Sequence, residues 1–502
     1  MKLTDVLAGV GAEQLSGSRA ALDISGVAHD SRRVRPGDLF VALPGATHDG
    51  ASFVPQARAA GAVAVVAERA VSVDAPVFRV PSARRALAEV AANIYRRPAG
   101  ELMLLGVTGT NGKTTTAWLL ESICSAGGAA VGRIGTIDVR FAGRSQPALH
   151  TTPDALALHG LFREMVDAGT DTVVMEVSSH ALDQERVHGL TFRAAAFTNL
   201  SRDHLDYHAD MEAYFQAKRK LFSENLSPGG VAVVNGDDTY AARIYNEVRS
   251  GRRMAWKFSR TGTGEISAAG VEMSLAGIRA TLKTPAGDIQ IQSSLLGPHN
   301  LENILAAAGM ALGAGFGRRD VQEGIARVKR IPGRMEHVQE NGRVALVDYA
   351  HSDDALRRAL EAARALARGR VIAVFGCGGD RDRGKRPMMG QVVAEGADLA
   401  VVTSDNPRNE DPADIIAQIT PGLEKGGLRR ISAGKARSGE RGYLVEADRR
   451  TAIEAAASLA KPDDVILVAG KGHEAFQEVR GEKLPFDDVA EARAALARAG
   501  AA

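Results

Sequence analysis

The chain has 502 residues, with 62 basic and 60 acidic side chains for a net charge of +2, and is 45% hydrophobic, 24% charged and 5% aromatic. That length suggests about three globular domains. The balanced charge and few aromatic rings exclude an extended nucleic-acid surface, which needs a basic stripe or stacking platforms. The two cysteines, Cys124 and Cys377, are too few for a disulfide scaffold and read as packing residues in a reducing compartment. The first dozen residues lack the apolar core of a signal peptide, and there is no run of about 18 apolar residues. A cytoplasmic protein without membrane insertion is therefore expected.

Residues 38–43 read as a strand between Pro36-Gly37 and Pro44-Gly45, residues 62–67 as a second strand, and residues 82–95 as a helix. Arg97-Pro98-Ala99-Gly100 marks a boundary. A buried-type strand over 102–108 then leads through a glycine-rich turn into a helix over 113–126. Strand-like runs recur at 172–177, 194–198 and 230–235 with helical patterns between them, which predicts a mostly parallel sheet. Short alternating strands follow over 252–297, then a helix over 301–313 and a second boundary at Ile331-Pro332-Gly333. The last segment alternates strands at 344–349, 370–376, 399–404 and 465–469 with helices at 354–367, 387–395, 412–424 and 448–460. The expected fold is thus α/β in three domains: a small N-terminal α/β domain (1–98), a central P-loop ATPase domain with a mostly parallel sheet (99–332), and a C-terminal Rossmann-like α/β domain (333–502). No fixed-period repeat or low-complexity tract occurs.

Gly106-Val107-Thr108-Gly109-Thr110-Asn111-Gly112-Lys113-Thr114-Thr115 lies between a strand and a helix, the setting a phosphate loop requires. Glycines let backbone N–H groups close on phosphate oxygens, and the helix start adds a positive dipole end. Lys113 is expected to reach the β/γ phosphates and Thr114 to hold Mg²⁺, although Val107 stands where the strict spacing calls for glycine. Glu176 ends the strand over 172–177, where a metal-facing acid would be placed. In Asn199-Leu200-Ser201-Arg202-Asp203-His204-Leu205-Asp206, His204 taken alone suits a structural histidine as well as a ligand, and the aspartates suit helix caps as well as ligands. Lys218, beside Arg219 and Lys220 in a helical stretch, reads as a solvated surface lysine. Asp405-Asn406-Pro407-Arg408 by itself reads as a strand-end turn.

Taken in order, these motifs, with Glu176-Val177-Ser178-Ser179-His180, Gly297-Pro298-His299-Asn300 and Gly333-Arg334-Met335-Glu336, resemble those of the Mur ligases from about His29 to Glu474. The resemblance implies an ATP-dependent, amide-bond-forming enzyme of peptidoglycan precursor synthesis. Its implied reaction adds meso-diaminopimelate to UDP-N-acetylmuramoyl-L-alanyl-D-glutamate through an acyl phosphate. The implied cofactors are Mg²⁺, with ATP as co-substrate, and a CO₂-derived carbamate on Lys218. The implied partners are these small molecules alone, with no nucleic acid, and a monomer is expected.

Carried over position by position, the resemblance assigns Gly109, Thr110, Asn111, Gly112, Lys113, Thr114, Thr115, Asn300, Arg334 and Asp348 to ATP. It places the uridine nucleotide and muramoyl dipeptide at His29, Ser31, Ala46, Thr47, His48, His150, Thr151, Thr152, Ser178, Gln184 and Arg186. Thr114, Glu176, His204 and Lys218 match metal-binding positions, and Lys113 joins the last three as catalytic. Arg381, Asp405, Asn406, Pro407, Arg408, Gly470 and Glu474 match the diaminopimelate pocket. There Arg408 would pair with the distal carboxylate, and Asp405 or Glu474 with the ammonium. A lysine substrate would leave Arg408 buried and unpaired, a strong basis for discrimination.

One departure is Ser352-Asp353 where the family usually has Thr-Pro, and loss of the proline is expected to loosen the loop near the adenine. Two other readings stay open. One is a ligase on the same scaffold that takes lysine, D-alanyl-D-alanine or a folate. The other is a regulator that binds ATP without catalysis.

Overall fold

The computed structural model describes residues 1–16, 22–45 and 48–500. The chain builds three separate α/β sheets, each covered by helices. In the first, strands Glu13–Ser16, Val77–Arg79, Ala64–Ala67, Asp38–Val41 and Gly26–Ala28 lie side by side in that order. Helix Ala83–Ile94 starts where the Ser82 hydroxyl accepts from Arg85 N, and it lays Ala83, Leu87 and Val90 against Leu39, Val41, Val66 and Phe78.

The second sheet has eleven strands. Its parallel centre runs Ile266–Ser274, Met254–Ser259, Leu226–Asn235, Phe192–Phe197, Met103–Thr108, Thr172–Glu176, Val131–Ile134, with antiparallel strands added at both edges. Side chains of the central strand alternate. Leu105 and Val107 enter the core under helices Lys113–Ala126 and Pro298–Ala314, while Leu104 enters the core on the opposite face with Met175 and Phe192. Both faces are buried, which explains the continuous apolar runs in the sequence.

The third sheet has six strands in the order Glu336–Glu340, Arg343–Asp348, Val465–Ala469, Val371–Phe375, Leu399–Val402, Gly442–Val445, and only the first pairs antiparallel. A hairpin, Phe476–Val479 with Glu482–Pro485, forms a separate two-stranded sheet. Ile331 packs in the middle domain's core and Met335 in that of the C-terminal domain, so the chain crosses between them over Pro332-Gly333-Arg334.

The expected central strands and helices are present within a few residues. The segments that escaped the sequence reading are short, polar or at sheet edges: Glu13–Ser16, Arg144–Pro147 and Glu482–Pro485 have little or no buried surface, and helix Asp488–Ala499 is alanine-rich. The loop expected to be loosened by Ser352-Asp353 is instead a closed helix start. Ser352 is 3% exposed, its hydroxyl accepts from Ala355 N at 3.3 Å, and Asp353 opens helix Asp353–Leu366. An aspartate in the first turn complements the helix dipole, where a proline would start the helix by its fixed φ.

The C-terminal domain is pinned by a wholly buried ion pair. Arg449 Nε and Nη2 donate to Asp488 at 2.8 and 2.7 Å, and the same guanidinium donates to Ser404 O at 3.3 Å and Ala469 O at 3.0 Å. One arginine thus fixes the final helix and the ends of two strands. Asp488→Ala would leave a buried cation unpaired and is expected to cost about 3–5 kcal/mol in urea unfolding followed by circular dichroism. A change below about 1 kcal/mol, the range of exposed pairs, would refute this account.

Candidate active site

The phosphate loop leaves the C-terminal end of Met103–Thr108, the strand flanked on both sides by parallel neighbours. Gly109 and Gly112 have φ of 143° and 89°, and a Cβ on either would overlap Thr198 or Asn303. The following strand's end holds the loop open: Thr110 N donates to Asn199 O at 2.8 Å, Asn111 N to Asn199 Oδ1 at 2.9 Å, and Thr198 Oγ1 to Asn111 O at 2.5 Å. Lys113 Nζ folds back onto Gly109 O at 3.0 Å and Thr110 O at 2.8 Å. Desolvation holds its pKa below the usual lysine value, against the pull of Glu176 and Asp203.

Glu176 is fully buried at the end of its strand. It accepts from Thr114 Oγ1 at 3.0 Å and from Thr136 N and Oγ1, both at 2.9 Å. Thr136, which the sequence reading missed, also meets Thr151 at 3.1 Å. Thr152 donates to Glu176 O at 2.8 Å, and Arg186 Nη1 donates to Thr152 O at 2.7 Å. Gln184 Oε1 accepts from Arg186 at 3.1 and 2.7 Å, and Ser178 caps helix Ser179–Asp183. Thr151, Thr152, Ser178, Gln184 and Arg186 therefore form one wall beside the Glu176 carboxylate, whereas His150 is exposed outside the sheet.

Lys218 corrects the sequence reading. It is 1% exposed, not a surface residue; its Nζ donates to Gly109 O at 2.8 Å and lies 4.5 Å from the centre of the Tyr214 ring. Its helix, Met211–Ser223, is capped by Asp210, not by Asp203 or Asp206. Desolvation, reinforced by the Lys113 charge, holds its pKa well below that of an ordinary lysine. His204 has a left-handed backbone (φ 54°), its N donates to Asp203 Oδ1 at 2.9 Å, and its ring lies 6.0 Å from Tyr214. Desolvation first, then cations including Lys218 and Lys113, outweigh Asp203 and lower its pKa to about 4, so the imidazole is neutral at pH 7.

A cleft of about 1070 Å³, open to solvent, gathers residues 110–115, Glu176, His204, Asn300, Arg334 and Asp348. Arg334 reaches from the C-terminal domain to Thr114 Oγ1 at 3.2 Å and stacks 4.6 Å from the Tyr349 ring centre; its Nε is buried with no hydrogen-bond partner among the described residues. Asp348 accepts from Met335 N at 2.8 Å, and desolvation raises its pKa to about 6 despite Arg334. Asn300 spends its amide on Leu296 O at 2.7 Å and accepts from Asn303 at 3.0 Å. Asn111 Nδ2 donates to Asp354 Oδ2 at 2.9 Å, a second bridge between the domains.

Thr114 and Glu176 offer the hard oxygens that Mg²⁺ takes, and the neutral His204 imidazole faces the same cleft. Among the described residues, no three His, Cys, Asp or Glu side chains form a ready cation cage.

In the first domain, His29 Nε2 lies 3.6 Å from Asp154 Oδ1, Ser31 Oγ donates to Gln56 at 3.0 Å, and His48 is exposed beside Phe53. Ala46 and Thr47 lie outside the described residues.

A second polar cluster occupies the strand ends of the C-terminal sheet. Asn406 Nδ2 donates to Glu474 Oε2 at 2.8 Å, and its Oδ1 accepts from Lys471 Nζ at 2.9 Å; Lys471, fully buried, also donates to Glu474 at 3.0 Å. Asp405 Oδ1 accepts from Asn406 N at 2.7 Å, and Gly470 packs against the Asp405 carboxylate. Pro407 is buried behind Gly379, and Arg381 is exposed at the rim. Arg408 is neither deeply buried nor unpaired, as the sequence reading supposed. Its side chain is 21% exposed, and it donates to Glu478 Oε2 at 3.0 Å and Gly379 O at 2.7 Å. An orphaned charge therefore cannot be what rejects a shorter amine. In the sequence Lys471 stands out in Gly470-Lys471-Gly472-His473-Glu474 without a role of its own, and Glu478 went unnoticed because it lies in a polar hairpin with no apolar pattern.

Comparison with known proteins agrees with this geometry. Family models match the chain as the Mur ligase family catalytic domain over 23–95, the Mur ligase middle domain over 107–311 and the Mur ligase glutamate ligase domain over 333–472. A UDP-N-acetylmuramoyl-L-alanyl-D-glutamate–2,6-diaminopimelate ligase from Geobacter metallireducens is 44% identical, over 99% of this chain and 98% of the relative. One of the same name from Gloeobacter violaceus is 46% identical with the same coverage. A solved structure bearing that enzyme name superposes with a TM-score of 0.70 at 34% identity, covering 99% of this chain and 98% of the other. With a phosphate loop, a strand-end glutamate and an inter-domain cleft in place, and relatives aligned from end to end, the chain belongs to the Mur ligases, a family of ATP-dependent ligases.

Proposed function

We propose that this chain joins meso-diaminopimelate to UDP-N-acetylmuramoyl-L-alanyl-D-glutamate at the expense of ATP, as a cytoplasmic monomer. Residues 1–98 would bind the uridine nucleotide, 99–332 ATP and the dipeptide, and 333–502 the incoming amine. The observation that carries the reading is the single cleft holding the phosphate loop, Glu176, His204 and Arg334, with the Asn406–Glu474–Arg408 cluster on the same domain as Arg334. No helix among the described residues is long and apolar enough to cross a membrane.

A carboxylate resists amines because oxide is a poor leaving group. The D-glutamate γ-carboxylate attacks the ATP γ-phosphorus, ADP departs, and an acyl phosphate results. The amine then attacks the carbonyl carbon and phosphate leaves, so one amide forms per ATP. The protein's share is alignment and charge stabilisation. Lys113 swings from its two carbonyl partners onto the transferred phosphoryl oxygens. Arg334 donates from the far side of the cleft. The wall formed by Thr152, Ser178 and Arg186 orients the dipeptide. Mg²⁺, held by Thr114, Glu176 and His204, would supply charge neutralisation at the phosphates. A carbamate on Lys218 would place an anion beside Lys113, and the lowered pKa of Lys218 raises the share of neutral amine with which CO₂ reacts.

Phosphate release with ATP, Mg²⁺ and the UDP-muramoyl dipeptide is expected with meso-diaminopimelate and not with L-lysine. Release with lysine would overturn the substrate assignment, and release with neither amine would favour a nucleotide-binding role without ligation. For Lys218, stripping CO₂ should lower the turnover rate and ¹³C-bicarbonate should restore it, with a new carbamate carbon signal that is absent in Lys218→Ala. Full activity without CO₂ and no such signal would refute the modification.

A further inference from the structure

The hairpin Phe476–Val479/Glu482–Pro485 has no role in the proposed reaction, yet it grips the amine-side cluster. Its first strand meets the 406–408 segment at one isolated parallel bridge, Arg408 with Val479: Arg408 N donates to Glu478 O at 3.0 Å and Arg480 N to Arg408 O at 2.7 Å, and Glu478 N donates to the Asn406 side chain at 3.0 Å. Gln477 Nε2 adds a bond to Asp405 O at 2.7 Å. These contacts hold Arg408 in a left-handed backbone, φ 51°. The Glu478 carboxylate then takes the Arg408 Nε–H at 3.0 Å, while Gly379 O takes one Nη1–H at 2.7 Å. Nε and one Nη1–H are thus held, while Nη2 has no hydrogen-bond partner among the described residues and is left to donate to a carboxylate.

We propose that Glu478 is the positioning residue that sets the selectivity of the amine pocket. It aims the Arg408 guanidinium at the distal carboxylate of the incoming diamino acid. Two effects of Glu478 oppose each other. Its acceptor oxygen orients the fork, and its negative charge competes with the substrate carboxylate for the same cation. An Arg408 already paired in this way costs little when a monocarboxylate enters, so discrimination comes from the bonds the second carboxylate gains on a pre-aimed fork. This inference rests on the proposed diaminopimelate pocket.

Steady-state kinetics of Glu478→Ala and Glu478→Gln would test it. Both variants keep the backbone bonds that pair the hairpin with residues 406–408. Glu478→Ala is expected to raise KM for meso-diaminopimelate about tenfold or more, the scale of one hydrogen bond to a charged group, with kcat and KM for ATP within about twofold. Glu478→Gln keeps an acceptor and removes the competing charge, so its KM should return to the wild-type value or below. An unchanged KM in Glu478→Ala, an equal rise for ATP, or a glutamine variant as impaired as the alanine one would overturn the role of Glu478 while leaving the pocket assignment intact. A wild-type protein that ignores meso-diaminopimelate would instead remove the pocket assignment, and this inference with it.

Discussion

Two lysines converge on one carbonyl. Lys113 and Lys218 both donate to Gly109 O, at 3.0 and 2.8 Å. Desolvation and the repulsion of the Lys113 charge hold the pKa of Lys218 down, and the protein supplies only partial relief, through Glu176 and Asp203 at Lys113 and Asp203 at Lys218. The arrangement is stable enough to fold and poor enough to favour incoming negative charge. The other features of the centre follow from it: the glycines that let the loop approach, the latch from Thr198 and Asn199 that keeps it open, and the neutral His204 that adds no third cation.

The same logic, differently balanced, governs the amine side. There three cations are already matched: Lys471 by Glu474, Arg408 by Glu478, Arg449 by Asp488. Matched pairs hold geometry and add little net attraction. The proposed nucleotide cleft is therefore a place of unmet charge and the proposed amine pocket a place of paired cations held in position. That division suits a reaction whose first partner is a polyanion and whose second is a zwitterion.

Much of this was legible in the chain. The phosphate loop announced itself because glycine, lysine and threonine fell between an apolar strand and a helix. Glu176 was legible because it ends a buried strand. The doubly wound segments were legible because sheets covered on both faces leave long apolar runs. Lys218 was not legible: nothing local distinguishes a lysine facing a loop more than a hundred residues earlier from one facing water, and here the family likeness pointed to a place the residue pattern had hidden. Thr136 and Glu478 were missed for a related reason, since each acts through a partner distant in sequence. The supposed orphan state of Arg408 failed because its counter-charge lies 70 positions away.

The bridge from Asn111 Nδ2 to Asp354 Oδ2 spans 243 positions and joins the phosphate loop to the first turn of a C-terminal helix. It makes the loop a mechanical element of the domain interface as well as a binding surface. Any ligand that favours the approach of these two domains must, by reciprocity, be favoured by every other ligand that does the same. Occupancy of the nucleotide cleft and occupancy of the amine pocket are then not independent events. Cooperative arrival then needs no dedicated gate, because the free energy of docking one domain on the other is shared between the molecules that favour it.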